Sequence, residues 1–123
     1  MAMARVCVSV TGEGTVDPRW GRAERVAVAD VDDGIVVGWQ EYAVGWDSLH
    51  DAGTEGAHHA RVARFLREHR VDVVIAEKMG LDMARMLGKL DVVVRLGATG
   101  DARTAVQASR APTPEPSGPP AVP

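Results

Sequence analysis

Adjacent histidines, His58 and His59, stand at the head of a run in which Val62, Phe65 and Leu66 recur at helical spacing. On a helix beginning near Thr54 both fall within about its first turn, where the positive end of the macrodipole disfavours the imidazolium form. A neutral ring there suits metal coordination or hydrogen-bond acceptance. His59 lies three, four and seven residues before Val62, Ala63 and Leu66, which leans its ring toward the apolar stripe, whereas His58 shares a face with Arg61 and Val62. Neighbouring helical residues point about 100° apart, so the pair does not match the short fixed ligand spacing of a zinc site. A large preassembled metal-sulfur cluster asks for less, because one or two protein contacts can hold it. The alternative is plain packing, with one ring buried and the other solvated. His50 lies in a loop with Asp47 and Asp51 that could swing to the same edge, and His69 ends the helix as a C-terminal cap.

Other segments offer a choice between chemistry and structure. Trp20-Gly21-Arg22, in the loop Asp17–Ala23, could form a lid whose guanidinium reads an anion, or could seal one end of a sheet. Gly80 marks a strand-to-helix turn where close approach or unusual φ is expected; its amide and the following helix N-terminus could instead receive an anion. Gly97–Asp101 can supply a helix cap from Thr99 or Asp101, or an oxyanion cradle. Met79, Met83 and Met86 fall at helical spacing and read as core or partner surface rather than thioether ligands. Cys7, the single cysteine, sits between Val6 and Val8 as a packed strand thiol, and no disulfide can form within the chain.

These residues need a frame. Val6, Val8 and Val10 alternate with Cys7 and Ser9, predicting a strand over Arg5–Val10. Arg25–Val31 and Ile35–Tyr42 read as two more, joined antiparallel at Asp32-Asp33-Gly34, where Asp-Gly suits a tight hairpin. The link from the first strand to the second has no helical pattern, so that pair should be antiparallel too. Beyond Thr54 the pattern alternates: helix 54–69, strand 72–76, helix 81–89, strand 91–96 and helix 101–108, the spacing of βαβ units with parallel pairing. The expected architecture is α/β: a mixed five-stranded sheet, three antiparallel strands and then two parallel ones, with about three helices in the three-layer manner of ribonuclease H-like folds. One domain over 1–108 is expected, followed by a disordered Pro-rich tail over 109–123, which holds six of the chain's seven prolines.

Composition narrows the partners. With 123 residues, 46% hydrophobic and 25% charged, the chain has the usage of an ordinary globular domain. A net charge of -3 and arginines scattered among acids argue against nucleic acid as a partner. No apolar run is long enough to span a bilayer and no secretory h-region opens the chain, so a cytoplasmic protein without membrane contact is expected, a monomer or weak homodimer. Neither GxxxxGK[ST] nor GxGxxG occurs, which leaves nucleotide binding unsupported. A two-metal nuclease would want convergent carboxylates, including one on the first strand, and Val6–Val10 has none.

From Arg5 to Gln107 the chain resembles the dinitrogenase iron-molybdenum cofactor biosynthesis family, the nitrogenase accessory factor-like domains. The likeness rests, in order, on the Val-rich first strand, Trp20-Gly21-Arg22-Ala23 where the family has Phe-Gly-Arg-Ala, the hairpin at Asp33-Gly34, His59 before the long helix, Val71-Asp72-Val73-Val74-Ile75, Gly80, and the Gly97–Gly100 loop. The chain departs at Arg19, where the family often has His, at Glu77-Lys78-Met79-Gly80 for its Gly-Gly-x-Gly turn, and at Ala60 for a glycine. The resemblance implies a ribonuclease H-like domain with a shallow site at the sheet edge and His59 in the family's histidine position. It implies a non-enzymatic carrier of an iron-sulfur or iron-molybdenum cluster that meets donor or recipient proteins and holds no cofactor tightly when isolated. The expected site is His59, Arg22, Trp20, Gly21 and Gly80, with His59 and then His58 as metal ligands. The competing expectation is a metal-free interaction or regulatory module.

Overall fold

A computed structural model describes residues 3–49 and 53–108. The strands are β1 (Met3–Val10), β2 (Arg25–Asp32), β3 (Ile35–Ala43), β4 (Val73–Ala76) and β5 (Val93–Leu96), and they form one sheet in the order β3-β2-β1-β4-β5. β1 pairs antiparallel with β2 and parallel with β4; β2–β3 is antiparallel and β4–β5 parallel. This is the mixed α/β sheet that the residue pattern predicts. The Pro-rich tail and His50 lie outside the described residues.

Period-2 alternation divides the core between the two faces of the sheet. Cys7, Val26, Val28, Val74 and Ala76 point to one face, where α1 (Trp46–Leu49), α2 (Glu55–Glu68) and α3 (Leu81–Lys89) cover them. Val6, Val8, Val10, Ala27, Ala29 and Ile75 point to the other, under α4 (Ala102–Ala108). β3 departs from strict alternation: Asp30 faces Gly38 while Val31 faces Val36, so Val37 is an extra residue and Val36 and Trp39 both reach the α4 face. The hairpin turn has the positive φ that Asp-Gly supplies, 53° at Asp33 and 86° at Gly34. Cys7 is fully buried, and burial pushes its thiol pKa far up, so it is a packing residue.

α1 was not foreseen; four residues are too few to show a period. Its Trp46 is 2% exposed and stands edge-on to Trp20 at 5.4 Å and to Phe65 at 5.8 Å. Phe65 in turn meets His69 and Tyr42, so aromatic rings run from the 3-10 turn at Trp20–Arg22 along the buried side of α2. His69 is the C-cap residue of α2, its ring stacked on Phe65 and Tyr42, and Arg5 adds a cation to Arg67 at that terminus, its guanidinium donating to the His69 carbonyl at 2.9 Å. Asp101 caps α4, accepting from the Thr104 amide and hydroxyl, and those donors hold its carboxyl below the usual range.

α2 and α3 end alike. Val71 N–H donates to Leu66 O and Val92 N–H to Leu87 O, both at 3.0 Å, with Arg70 and Asp91 left-handed at φ 53° and 62°. Each is a Schellman stop that drops a buried valine into the core before the next strand. A left-handed arginine carries a steric cost that glycine does not. Arg70→Gly should therefore raise the free energy of unfolding by about 0.5–1 kcal/mol in urea titration.

Candidate functional site

β1, β4 and β5 run the same way, so the chain leaving each emerges at one edge of the sheet. That edge is where open α/β sheets hold ligands. The loop after β1 and the turn after β4 meet there, with Arg19 bridging to Lys78 in a parallel backbone pair. The first turns of α2 and α3 arrive at the same place, and the four segments enclose an open cleft of about 860 Å³.

The loop after β1 is fixed by a buried carboxylate. Asp17 is 4% exposed and accepts from the Arg19 amide at 2.9 Å and from its guanidinium Nε and an Nη at 3.2 Å. These contacts raise the guanidinium's pKa above its ordinary value. Behind it, the buried Ser9 hydroxyl donates to Asp17 O at 2.7 Å, and the Asp17 amide donates to Ser9 O. Arg19 through Arg22 then turn tightly, Arg22 N–H donating to Arg19 O. Trp20 points inward and is 2% exposed, packed on Trp46, while Arg22 is exposed on the cleft wall. Of the two expectations for Trp20, sealing the end of the sheet is what the packing describes.

His58 takes the face it is expected to share with Val62 and Arg61, whereas His59, expected to lean toward the apolar stripe, turns to the cleft. His58, Val62 and Leu66 form the inward row at i, i+4 and i+8, each nearly or fully buried, while His59 is half-buried on the cleft wall. His58 Nε2 lies 2.7 Å from Gly21 O, and Arg61 Nη1 lies 2.9 Å from His58 Nδ1. A guanidinium can only donate and a carbonyl only accept, so Nδ1 accepts and Nε2 carries the proton. With both nitrogens engaged, His58 in this arrangement has no lone pair to offer a metal, contrary to the expectation that it is a ligand.

Gly80 also departs from expectation. Its φ is -64° and a Cβ there would meet nothing within 4 Å, so neither strain nor crowding demands glycine. It is the N-cap of α3 without a side-chain cap, which leaves the helix's leading amides to the cleft. Gly97 and Gly100 do need glycine, at φ 93° and 80°, and Asp101 rather than Thr99 makes the helix cap.

All five residues singled out as a binding set, Trp20, Gly21, Arg22, His59 and Gly80, line this one cleft. The pattern of residue types missed Arg19, Lys78, Leu81 and Asp82, which line it too; Met83 is buried in the core with Met79 packed against it, as their helical spacing predicts, and both also reach the cleft. His59, Trp20 and Arg22 announce themselves by type. The others are brought in by the pairing of β1 with β4. Arg22 and Lys78 stand against a single lining carboxylate, Asp82, while the charge of Arg19 is met by the buried Asp17, in a chain whose net charge is -3. Two helix N-termini add to that field by about 0.3–1 kcal/mol each toward an anion. Among the described residues no group of three His, Cys, Asp or Glu side chains could hold a bare metal ion. The donors present, the His59 imidazole with cations, open amides and the Met79 and Met83 thioethers, suit an anion that brings its own inner ligands.

Because Asp17 is buried and binds a backbone amide, Asp17→Ala should cost about 1–3 kcal/mol in chemical denaturation. Asp17→Asn keeps one acceptor for the Arg19 amide and should cost less than half of that.

Solved structures share the fold, among them the following three. The orange protein of Desulfovibrio gigas in its apo form matches with a TM-score of 0.69 at 24% identity, over 88% of each chain. A candidate dinitrogenase from Methanocaldococcus jannaschii matches at 0.65 and 11% identity over 89% of each chain. A candidate NifB protein from Thermotoga, known from nuclear magnetic resonance, matches at 0.59 and 26% identity over 86% of each chain. No curated protein matches the sequence. No helix among the described residues is long and apolar enough to cross a membrane. The model of the dinitrogenase iron-molybdenum cofactor family matches residues 2–111, nearly the whole chain, and the protein belongs to that family.

Proposed function

We propose that this protein is a non-enzymatic carrier that receives a preassembled iron-sulfur or iron-molybdenum cluster in the cleft at the carboxyl ends of β1 and β4. The observation that carries this reading is the convergence of His59, Arg22, Gly21 and Gly80 on one cationic cleft of a chain that is acidic as a whole. His59 is the ligating or hydrogen-bonding contact. Arg22, Lys78 and the leading amides of α3 balance the cluster's charge, and Trp20 closes the floor. A donor or recipient protein would meet the rim, where Leu81 is 65% exposed. Membership of the iron-molybdenum cofactor family supports the identity of the cargo. The contacts are few, so the cargo is held loosely enough to be passed on.

Anaerobic loading with isolated iron-molybdenum cofactor, and separately with a [4Fe–4S] donor, followed by absorbance and iron analysis, tests the proposal. Wild type should take up at least one of the two clusters. His59→Ala should bind roughly tenfold more weakly, the worth of one contact to a charged group. Equal loading of wild type and His59→Ala would remove the role given to His59, and no uptake of either cluster by wild type would remove the function.

A further inference from the structure

The buried His58 is left over from the binding set, yet it joins α2 to the loop carrying Trp20 and Arg22. Its contact is with the Gly21–Arg22 peptide, and that peptide is held at both ends. The Gly21 carbonyl accepts from His58 Nε2–H at 2.7 Å, and the Arg22 amide donates to Arg19 O at 3.0 Å. A peptide fixed at its oxygen and its nitrogen cannot rotate, so the direction in which Arg22 leaves the backbone is set. Arg61 fixes the histidine in turn. By donating to Nδ1 at 2.9 Å it selects the tautomer whose proton lies on Nε2, where Gly21 O requires it. The opposite tautomer would set a lone pair against a carbonyl oxygen.

We infer that His58, oriented by Arg61, is the positioning residue of the cleft: it latches the Trp20–Arg22 turn to α2 and so holds Arg22 and its flanking amides in the binding geometry. His58 touches the frame, and the ligand meets what the frame presents. The packing is consistent with a hydrogen-bonding role for this side chain. A Cβ built on Gly21 would lie 3.8 Å from His58 Nε2 and 3.4 Å from Met83 Cε, so the turn sits close on both without being jammed. The inference builds on the reading of this cleft as the binding site, but its first test needs no ligand.

Arg19 and Arg22 are trypsin sites inside the latched turn, and Arg64 and Arg67 are trypsin sites in α2. Limited digestion of the full chain with fragments assigned by mass spectrometry separates release of the turn from global unfolding. His58→Ala should raise cleavage after Arg19 and Arg22 by about tenfold or more, with little change in α2. His58→Gln, whose amide can still donate to Gly21 O, should restore most of the protection. Arg61→Met, which leaves the ring in place without its orienting donor, should give a smaller rise and serves if His58→Ala does not fold. Cleavage in His58→Ala that is unchanged, or raised equally at Arg64 and Arg67, overturns the inference, as does a His58→Gln protein as labile as His58→Ala. With isolated iron-molybdenum cofactor as probe, affinity should follow the same order. A wild type that binds no cluster while the digestion pattern holds would remove the proposed function and leave the latch standing.

Discussion

Parallel pairing of β1 with β4 is the contact on which everything at the site depends. It aligns Val6, Cys7 and Val8 with Val73, Val74 and Ile75, and so delivers the loop after β1 and the turn after β4 to a common edge. The connection through α2 must then return along the sheet, which places that helix's N-terminus at the same edge. Residues far apart in the chain become neighbours through this one register. A strand slip by a single residue would turn the buried Val8 and Ile75 toward the wrong layer, so the apolar alternation that stabilises the sheet also protects the geometry of the cleft.

The edge is built in two materials. Aromatic packing runs from Trp20, which lines the cleft, through Trp46 and Phe65 to His69 along α2, and the edge-on pairs Trp20–Trp46 and Trp46–Phe65 add about 0.5–1.5 kcal/mol each beyond area burial. Beside that packing, Asp17 and His58 grip the loop from opposite sides, one through the Arg19 amide and the other through the Gly21 carbonyl. Each grip uses a buried side chain on a backbone group, the kind of hydrogen bond that is costly to break because the partner is stranded. The surface left facing solvent is cationic. Placing that charge at the mouth of an otherwise acidic protein would give the proposed cargo a local target.

Much of this frame was legible in the residues. The valine alternation of β1, the Asp33-Gly34 turn and the helix-strand rhythm after Thr54 each express one local rule, and the sheet is what those rules compose. Three things were not legible. α1 is a single turn whose Trp46 matters by contact and not by period. The faces of His58 and His59 depend on the rotation of α2, and a stripe containing Val62, Ala63 and Leu66 is broad enough to admit either. The partnership of Arg19 with Lys78 is purely tertiary. Gly80 misled for a different reason, since glycine at a strand-to-helix turn suggests strain and the backbone there is ordinary. Belonging to the iron-molybdenum cofactor family gives the cleft a chemical context, while its charge and its anchors follow from this chain's own residues.

The central claim is that one cleft, at the carboxyl ends of β1 and β4, receives the cargo. The most direct measurement is an amide-resolved magnetic resonance titration of the full chain with isolated iron-molybdenum cofactor, whose paramagnetism broadens nearby signals. The account predicts loss of signal at Gly21, Arg22, His59, Gly80 and Asp82 with the α4 face unaffected. Broadening centred instead on β5 and α4, around Leu96 and Ala105, would contradict it.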